Sequence, residues 1–356
     1  MCPILYEQFQ IFKKLTKEEQ ALIRNSQCGY DARIEDRENR VLVCCPQNTE
    51  QCGVVKNTAS HLSAGSKPID AKIPINDGEY PWMTLIEYEY KEDPSKHEYL
   101  CSGSLINSNY ILTAAHCVTN KKWTAKRIWL GHSDQNNAIE CLTQPGGNYP
   151  TTFQSLEIDK IFIHPKYPEN LHHDIALIRL ESYVEFSQFI RPICIPFDNH
   201  LKSEKLTNTL AEFGSWGVGS QFEGIKSTTQ KLTNTLAEFG SWGVGSQFEG
   251  IKSTTQFKMP LKIWDTMVCR QKYRTTFYDV NVNYDLCAGG VEGVDTCLGD
   301  SGGALMHSMH AGHREKKYFV IGVMSYGKKE CGLKGWPSVS VDVQRHLPWI
   351  LAHWRQ

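Results

Sequence analysis

Gly299-Asp300-Ser301-Gly302-Gly303 sets one serine among glycines, in a backbone free to turn sharply enough to aim neighbouring amides at one point. A serine hydroxyl is a poor nucleophile at neutral pH. It needs an imidazole to take its proton and a buried carboxylate to fix that imidazole's tautomer and steady its cationic form. Two further segments carry such groups, Leu112-Thr113-Ala114-Ala115-His116-Cys117 and His173-Asp174-Ile175-Ala176-Leu177. The chain order His116, Asp174, Ser301 is one of three arrangements in which this constellation occurs. The amides of Gly299 and Ser301 are the expected oxyanion hole, a contribution of roughly 3 kcal/mol to the barrier. Singly, each segment has a plainer structural explanation: a core histidine, a carboxylate that starts a strand, a tight turn. Together, in order and with cysteines beside the first and last, they point to acyl-transfer chemistry.

The surrounding chain has 356 residues, room for one large domain and something small beside it. Its formal net charge of −1 advertises neither nucleic acid nor an anionic membrane as partner. No window approaches the roughly 18 unbroken apolar residues of a membrane span. The 13 cysteines lack the paired spacing of a zinc site and imply an oxidising, extracellular setting. Yet Met1-Cys2-Pro3-Ile4-Leu5 has neither a basic leader nor an apolar core, so the chain reads as truncated at its N-terminus, without its signal peptide.

Short β-prone runs recur between turns from Pro81 onward: Trp82 to Tyr90, Tyr110 to Leu112, Ile158 to Ile163, Ile175 to Leu180 and Tyr318 to Ser325. That spacing predicts an all-β barrel or sandwich. Leu347, Ile350, Leu351 and Trp354 fall at helical spacing and predict a terminal helix, with Pro348 tolerated in its first turn. Residues 1–45 read as a small cysteine-stapled module, helix-forming over 5–23 and strand-like at Val41 to Cys45. Residues 46–68, poor in large apolar side chains, read as an exposed linker. Residues 205–230 recur unchanged as 231–256, a recent tandem duplication or an error in the gene model rather than a solenoid repeat. One copy is expected to pack and the other to bulge from the surface.

Residues 69–356 resemble the trypsin and chymotrypsin family, and residues 1–45 resemble the clip domain of arthropod clip-domain serine proteases. The resemblance implies two antiparallel six-stranded β-barrels with the site in the cleft between them and a C-terminal helix. It implies disulfides Cys101 with Cys117, Cys269 with Cys287, Cys297 with Cys331, Cys2 with Cys45, and Cys52 with Cys194, the last tethering the amino-terminal piece after an activating cut. Cys28, Cys44 and Cys141 are left without evident mates.

By the same resemblance, Asp295, six residues before Ser301, lies at the floor of the specificity pocket and selects Arg or Lys. Ser325 and Gly327 belong to the strand that pairs with substrate, Gly327 leaving the pocket mouth open. Ser338 stands in place of a family glycine on the pocket wall, so it is expected to crowd a long side chain. Ser340 stands in place of an aromatic. The family's activation frees an Ile whose amino group pairs with the aspartate before the nucleophile, here Ile69 and Asp300. Lys67-Pro68-Ile69-Asp70-Ala71-Lys72 departs from the usual activation sequence, with no basic residue directly before Ile69, and a cut after Lys72 would expose Ile73 instead. His132 stands where some relatives hold calcium with a glutamate, so no metal and no cofactor is expected. Implied partners are protein substrates such as downstream zymogens, an upstream activating protease and a serpin-type inhibitor. The competing function is a non-catalytic protease homologue that binds partners through its clip module and cleft.

Overall fold

The computed structural model describes residues 27–30, 41–43, 52–55, 73–74, 78–131, 153–167, 171–197, 199–215, 257–276, 278–292, 295–296, 299–311, 315–328 and 332–354. In the amino-terminal part, β1 (Gln27–Tyr30) pairs antiparallel with β2 (Val41–Val43), the strand-like end that the Val-Leu-Val run predicts. The helix expected over residues 5–23 lies outside the described residues.

Two strand layers make up the rest. β4 (Met83–Tyr90), β5 (Asp93–Leu105), β6 (Tyr110–Thr113), β7 (Trp123–Leu130), β8 (Gln154–Ile163) and β9 (Ala176–Leu180) close into an antiparallel barrel in the order β4-β5-β6-β9-β8-β7. Closure leaves no sheet edge unpaired. β6 and the start of β9 are buried on both faces because one face lines the barrel and the other abuts the second layer. Tyr110, Ile111, Leu112, Ala176, Leu177 and Ile178 are all fully covered.

The second layer runs β12 (Asp285–Gly289), β15 (Pro337–Asp342), β14 (Glu315–Tyr326), β13 (Ala304–Ala311), β10 (Leu210–Ser215), β11 (Phe257–Lys262), β3 (Ile73–Pro74). A bridge between Ile263 and Ala288 brings the end of β11 back to β12, so six of these strands curl into the second expected barrel. The short β3 is an addition to the expected six. It pairs through Ile73 and Pro74 with Lys258 and Phe257, covering an edge that would otherwise present unpaired backbone groups, in a position where proline is tolerated.

The first copy of the duplicated segment supplies β10, with Ala211 and Phe213 buried and Ser215 in register with Phe257. The second copy, 231–256, lies outside the described residues, as does the bulge expected of it.

The terminal helix Leu347–His353 buries Leu347, Ile350 and Leu351, with Pro348 in its first turn. Trp349, off the expected apolar stripe, is buried too, its ring against His164. Cys101–Cys117, Cys269–Cys287 and Cys52–Cys194 are bonded. Each such link typically stabilises by about 2 to 4 kcal/mol. Cys52–Cys194 fastens the linker to the barrels, helped by Gly53 N–H donating to the Pro192 carbonyl and Tyr318 N–H to the Gly53 carbonyl. Cys2, Cys45, Cys141, Cys297 and Cys331 lie outside the described residues.

Trp82 joins the layers. Fully buried, it donates its indole N–H to Met306 Sδ of β13 at 3.0 Å and packs against Tyr318 of β14. Truncating such a side chain leaves a cavity that the closed barrel cannot collapse around. Trp82→Ala is expected to lower unfolding free energy by about 3 to 5 kcal/mol, read from the denaturation midpoint; a change below 1 kcal/mol would mean that the layers do not depend on it.

Candidate active site

β6 ends at Thr113, and the chain turns at once into the short helix Ala115–Val118, which carries His116 and is pinned to β5 by the Cys101–Cys117 bond. Asp174 follows a single helical turn, Leu171–His173, and precedes β9, whose pairing with β6 aligns Ala176 with Thr113. Adjacent strands of one barrel therefore hold the two side chains together. Asp174 Oδ2 lies 2.6 Å from His116 Nδ1, and Oδ1 accepts the His116 backbone N–H at 2.8 Å.

The second layer completes this arrangement. Ser325, near the end of β14, donates its hydroxyl to Asp174 Oδ2 at 2.6 Å. Ser301 sits in the turn before β13, and its carbonyl accepts the Ser102 N–H of β5 at 2.9 Å. Gly302 makes this approach possible: a Cβ there would fall 2.2 Å from Thr113 Oγ1 and 2.3 Å from the Ser102 carbonyl. Gly299 adopts φ +97°, a conformation that disfavours side chains. The turn thus presses onto the strand end that leads into His116. Gly302 N–H bonds the Met324 carbonyl and Gly303 N–H the Asp300 carbonyl, which anchors the turn from beneath.

Electrostatics follow burial. Asp174 is 1% exposed, with three donors at its carboxyl oxygens. Burial pulls the His116 imidazole down, but the carboxylate at 2.6 Å and its hydrogen bond outweigh that, so the net direction is upward. With Nδ1 on the carboxylate, Nε2 of the neutral ring carries the lone pair and lies 3.6 Å from the Cys117 sulfur. Asp300 is buried at 1% exposure; Ile69 lies outside the described residues.

Asp295 is likewise buried, at 4% exposure. It accepts from Thr296 N–H at 2.8 Å, Gly290 N–H at 3.1 Å and the Ser338 hydroxyl at 2.7 Å. Burial pushes its carboxyl up to about 6, against the opposing pull of these hydrogen bonds. Ser338 was expected to crowd a slot. Its hydroxyl engages Asp295 and also bonds the Thr296 hydroxyl at 2.6 Å, because the β12–β15 register sets Ser338 opposite Ala288, just before the turn that holds Asp295. A side chain at Gly327 would lie 3.3 Å from Ser338 Oγ, so these two residues face each other. Ser340 is buried on β15, in register with Leu286 and Met324.

The structure brings His116, Asp174 and Ser325 into one hydrogen-bonded group, abuts the Ser301 turn on it, and joins Asp295 to Ser338. The Ser325 hydroxyl, read from sequence only as part of a substrate strand, is a donor to Asp174. No local signal reveals this, since the partners are 151 positions apart.

Comparison with known proteins fits this architecture. The Trypsin family model matches residues 69–241 and again 219–350, the two matches overlapping within the duplicated region. Residues 1–45 match the regulatory CLIP domain of proteinases. The chain belongs to the trypsin family, in its clip-domain branch. It is 30% identical to the Spaetzle-processing enzyme of Drosophila melanogaster, over 98% of this chain and 86% of that protein. It is 31% identical to Melanization protease 1 of the same fly, over 98% and 88%. It is 30% identical to CLIP domain-containing serine protease B4 of Anopheles gambiae, over 94% and 82%.

If Asp174 is what raises His116, removing the carboxylate must reverse the shift. In a histidine-labelled NMR titration, His116 is expected to titrate above the ordinary imidazole value of about 6.5. In Asp174→Asn it should fall below, because burial then acts alone. An unchanged midpoint would contradict the assignment.

Proposed function

We propose that the chain is an extracellular serine endopeptidase that cleaves proteins after Arg or Lys, with Ser301 as nucleophile, His116 as general base and acid, and Asp174 as the group that orients His116. The observation that carries this reading is the buried Asp174 carboxylate holding His116 Nδ1 at 2.6 Å, with the Ser301 turn bonded to the neighbouring strand β5. In the reaction, His116 Nε2 takes the Ser301 hydroxyl proton as Oγ attacks the scissile carbonyl. The Gly299 and Ser301 amides receive the oxyanion. His116 then returns the proton to the leaving amine, and water repeats the sequence to release the acyl group.

Asp295 supplies the preference for a cationic side chain. Its high burial means that it must ionise to do so, and arginine entering the slot would favour that ionisation. Acid therefore acts twice in the same direction, protonating His116 and Asp295. Ser325, Gly327 and Ser338 line the substrate path. The domain organisation that goes with this function is a partial clip domain over 1–45, a linker with the activation segment over 46–68, and the protease domain over 69–356. Ile69 is the new terminus and Asp300 its partner. Zymogen activation by an upstream protease, a downstream zymogen as substrate and a serpin-type inhibitor complete a place in an extracellular cascade. Relatives named for processing Spaetzle and for melanization support that setting.

One observation favours a second reading, a non-catalytic homologue that binds partners through its clip module and cleft. Ser338 Oγ already occupies Asp295 Oδ1 at 2.7 Å, where an incoming guanidinium would bond.

Secretion of the full chain, treatment with a trypsin-like protease, sequencing of the new N-terminus and assay on an arginine-linked peptide amide separate the two. The enzyme reading expects a new Ile terminus and hydrolysis that is absent in Ser301→Ala. A correctly cut chain without hydrolysis would sink it. With activity in hand, Asp295→Ala is expected to cut kcat/KM on the arginine substrate by at least about 100-fold, the loss of a buried charge partner of roughly 3 kcal/mol, while sparing an apolar substrate.

A further inference from the structure

Two residues before Asp174, another histidine is held by a buried carboxyl group of the opposite layer. His172 lies in the turn Leu171–His173, and its Nδ1 is 2.9 Å from Asp285 Oδ2. Asp285 opens β12, so this bond crosses from the first barrel to the second. The Asp285 side chain is 1% exposed and that of His172 14%. His173, the next residue, is tied to the same layer: its Nδ1–H points at His346 Nε2, 2.9 Å away, and its ring lies against Tyr284.

Asp285 is a fixed post. Its Oδ2 also accepts the Asn281 N–H at 2.8 Å, and its own N–H donates to the Asn281 carbonyl at 2.9 Å. β12 then pairs with β15 along its whole length, from Asp285 opposite Val341 to Gly289 opposite Pro337, and Cys287 is bonded to Cys269. The contact of His173 with His346 joins two neutral rings, since burial lowers both to about 4. The contact of His172 is of another kind: its hydrogen bond to Asp285 raises the imidazole, and burial raises the Asp285 carboxyl. Both directions keep a proton between the two groups, so the bond persists through neutral pH.

We propose that His172 and Asp285 are positioning residues that hold Asp174 at hydrogen-bonding distance from His116 by anchoring the turn before it to the second barrel. This rests on the reading of His116, Asp174 and Ser301 as a protease site and adds the pair that sets its geometry. On its C-terminal side Asp174 is fixed by β9, which begins at Ala176. On its N-terminal side the turn is fixed across the seam, through His172 and His173. Neither His172 nor Asp285 touches the reacting atoms. A misplacement of about 1 Å in an orienting group costs on the order of 100-fold in rate even when the change is remote. β12 keeps its pairing with β15 without His172, so Gly290 at its far end still donates to Asp295 and the pocket keeps its hold on substrate.

The test compares three substitutions in the full secreted chain. His172→Asn puts an amide N–H near the place of Nδ1, His172→Gln puts it near that of Nε2, and His172→Ala removes the donor. In a histidine-labelled NMR titration, His172→Ala and His172→Gln should lower the His116 midpoint by at least about half a pH unit, because Asp174 then bonds the imidazole less well. His172→Asn should leave the midpoint where it is. In the activated enzyme, His172→Ala and His172→Gln should lower kcat by about 10- to 100-fold with KM within about twofold, and His172→Asn should restore kcat. A merely structural role would not separate asparagine from glutamine, and this contrast decides the matter if His172→Ala fails to fold. A His116 midpoint unmoved in His172→Gln overturns the proposal, and no hydrolysis is needed to read it. So does an active unmutated chain whose kcat is unchanged in His172→Gln. An unmutated chain without hydrolysis counts against the protease reading instead, and the His116 midpoint then decides the role of His172.

Discussion

The Asp174 carboxylate, sealed between two barrels, is the constraint on which the rest of the structure turns. Burying an ion costs several kcal/mol unless donors replace its water. Here they come from both layers: the His116 backbone and imidazole from the first, the Ser325 hydroxyl from the second. Satisfying the charge therefore requires the barrels to be docked. The same bonds that offset desolvation fix the imidazole's orientation, so assembly of the fold and assembly of the candidate site are one event. The close approach allowed by Gly302 and the Trp82 contact with Met306 reinforce that seam, while the Cys101–Cys117 link steadies the His116 helix within the first barrel.

A second buried carboxylate sets a different balance. Asp295 is held by two amides and two residues' worth of hydroxyl contact, directly from Ser338 and through it from Thr296, yet burial still leaves its carboxyl near 6. A carboxyl balanced in this way carries its charge at neutral pH and gives it up in mild acid.

How much of this was legible in the sequence follows from the range of each interaction. The terminal helix and the strands could be read because side-chain periodicity is local. The three chemistry-bearing segments could be read because each has a short, constrained pattern. Trp349 was not, because its cover comes from His164, far away in the chain. Ser325 was assigned to substrate pairing, and its hydroxyl turned out to serve Asp174 across the barrel seam. Ser338 was read only as a wall residue, and its hydroxyl contact with Asp295, set by the β12–β15 register, has no local signature. In the duplicated segment two identical copies competed for one place; the first supplies β10, opposite β11. No pattern distinguishes the copies; the pairing of Leu210 to Ser215 with Lys262 to Phe257 is seen only in the structure.

The central claim is that a docked pair of barrels holds His116 ready to activate Ser301. Covalent trapping with a fluorophosphonate probe after activating cleavage tests it most directly, followed by digestion and mass spectrometry. The account predicts one stoichiometric adduct on Ser301, formed slowly or not at all in Asp174→Asn. An intact Ser301 in correctly cut protein, or equal labelling in Asp174→Asn, would contradict it.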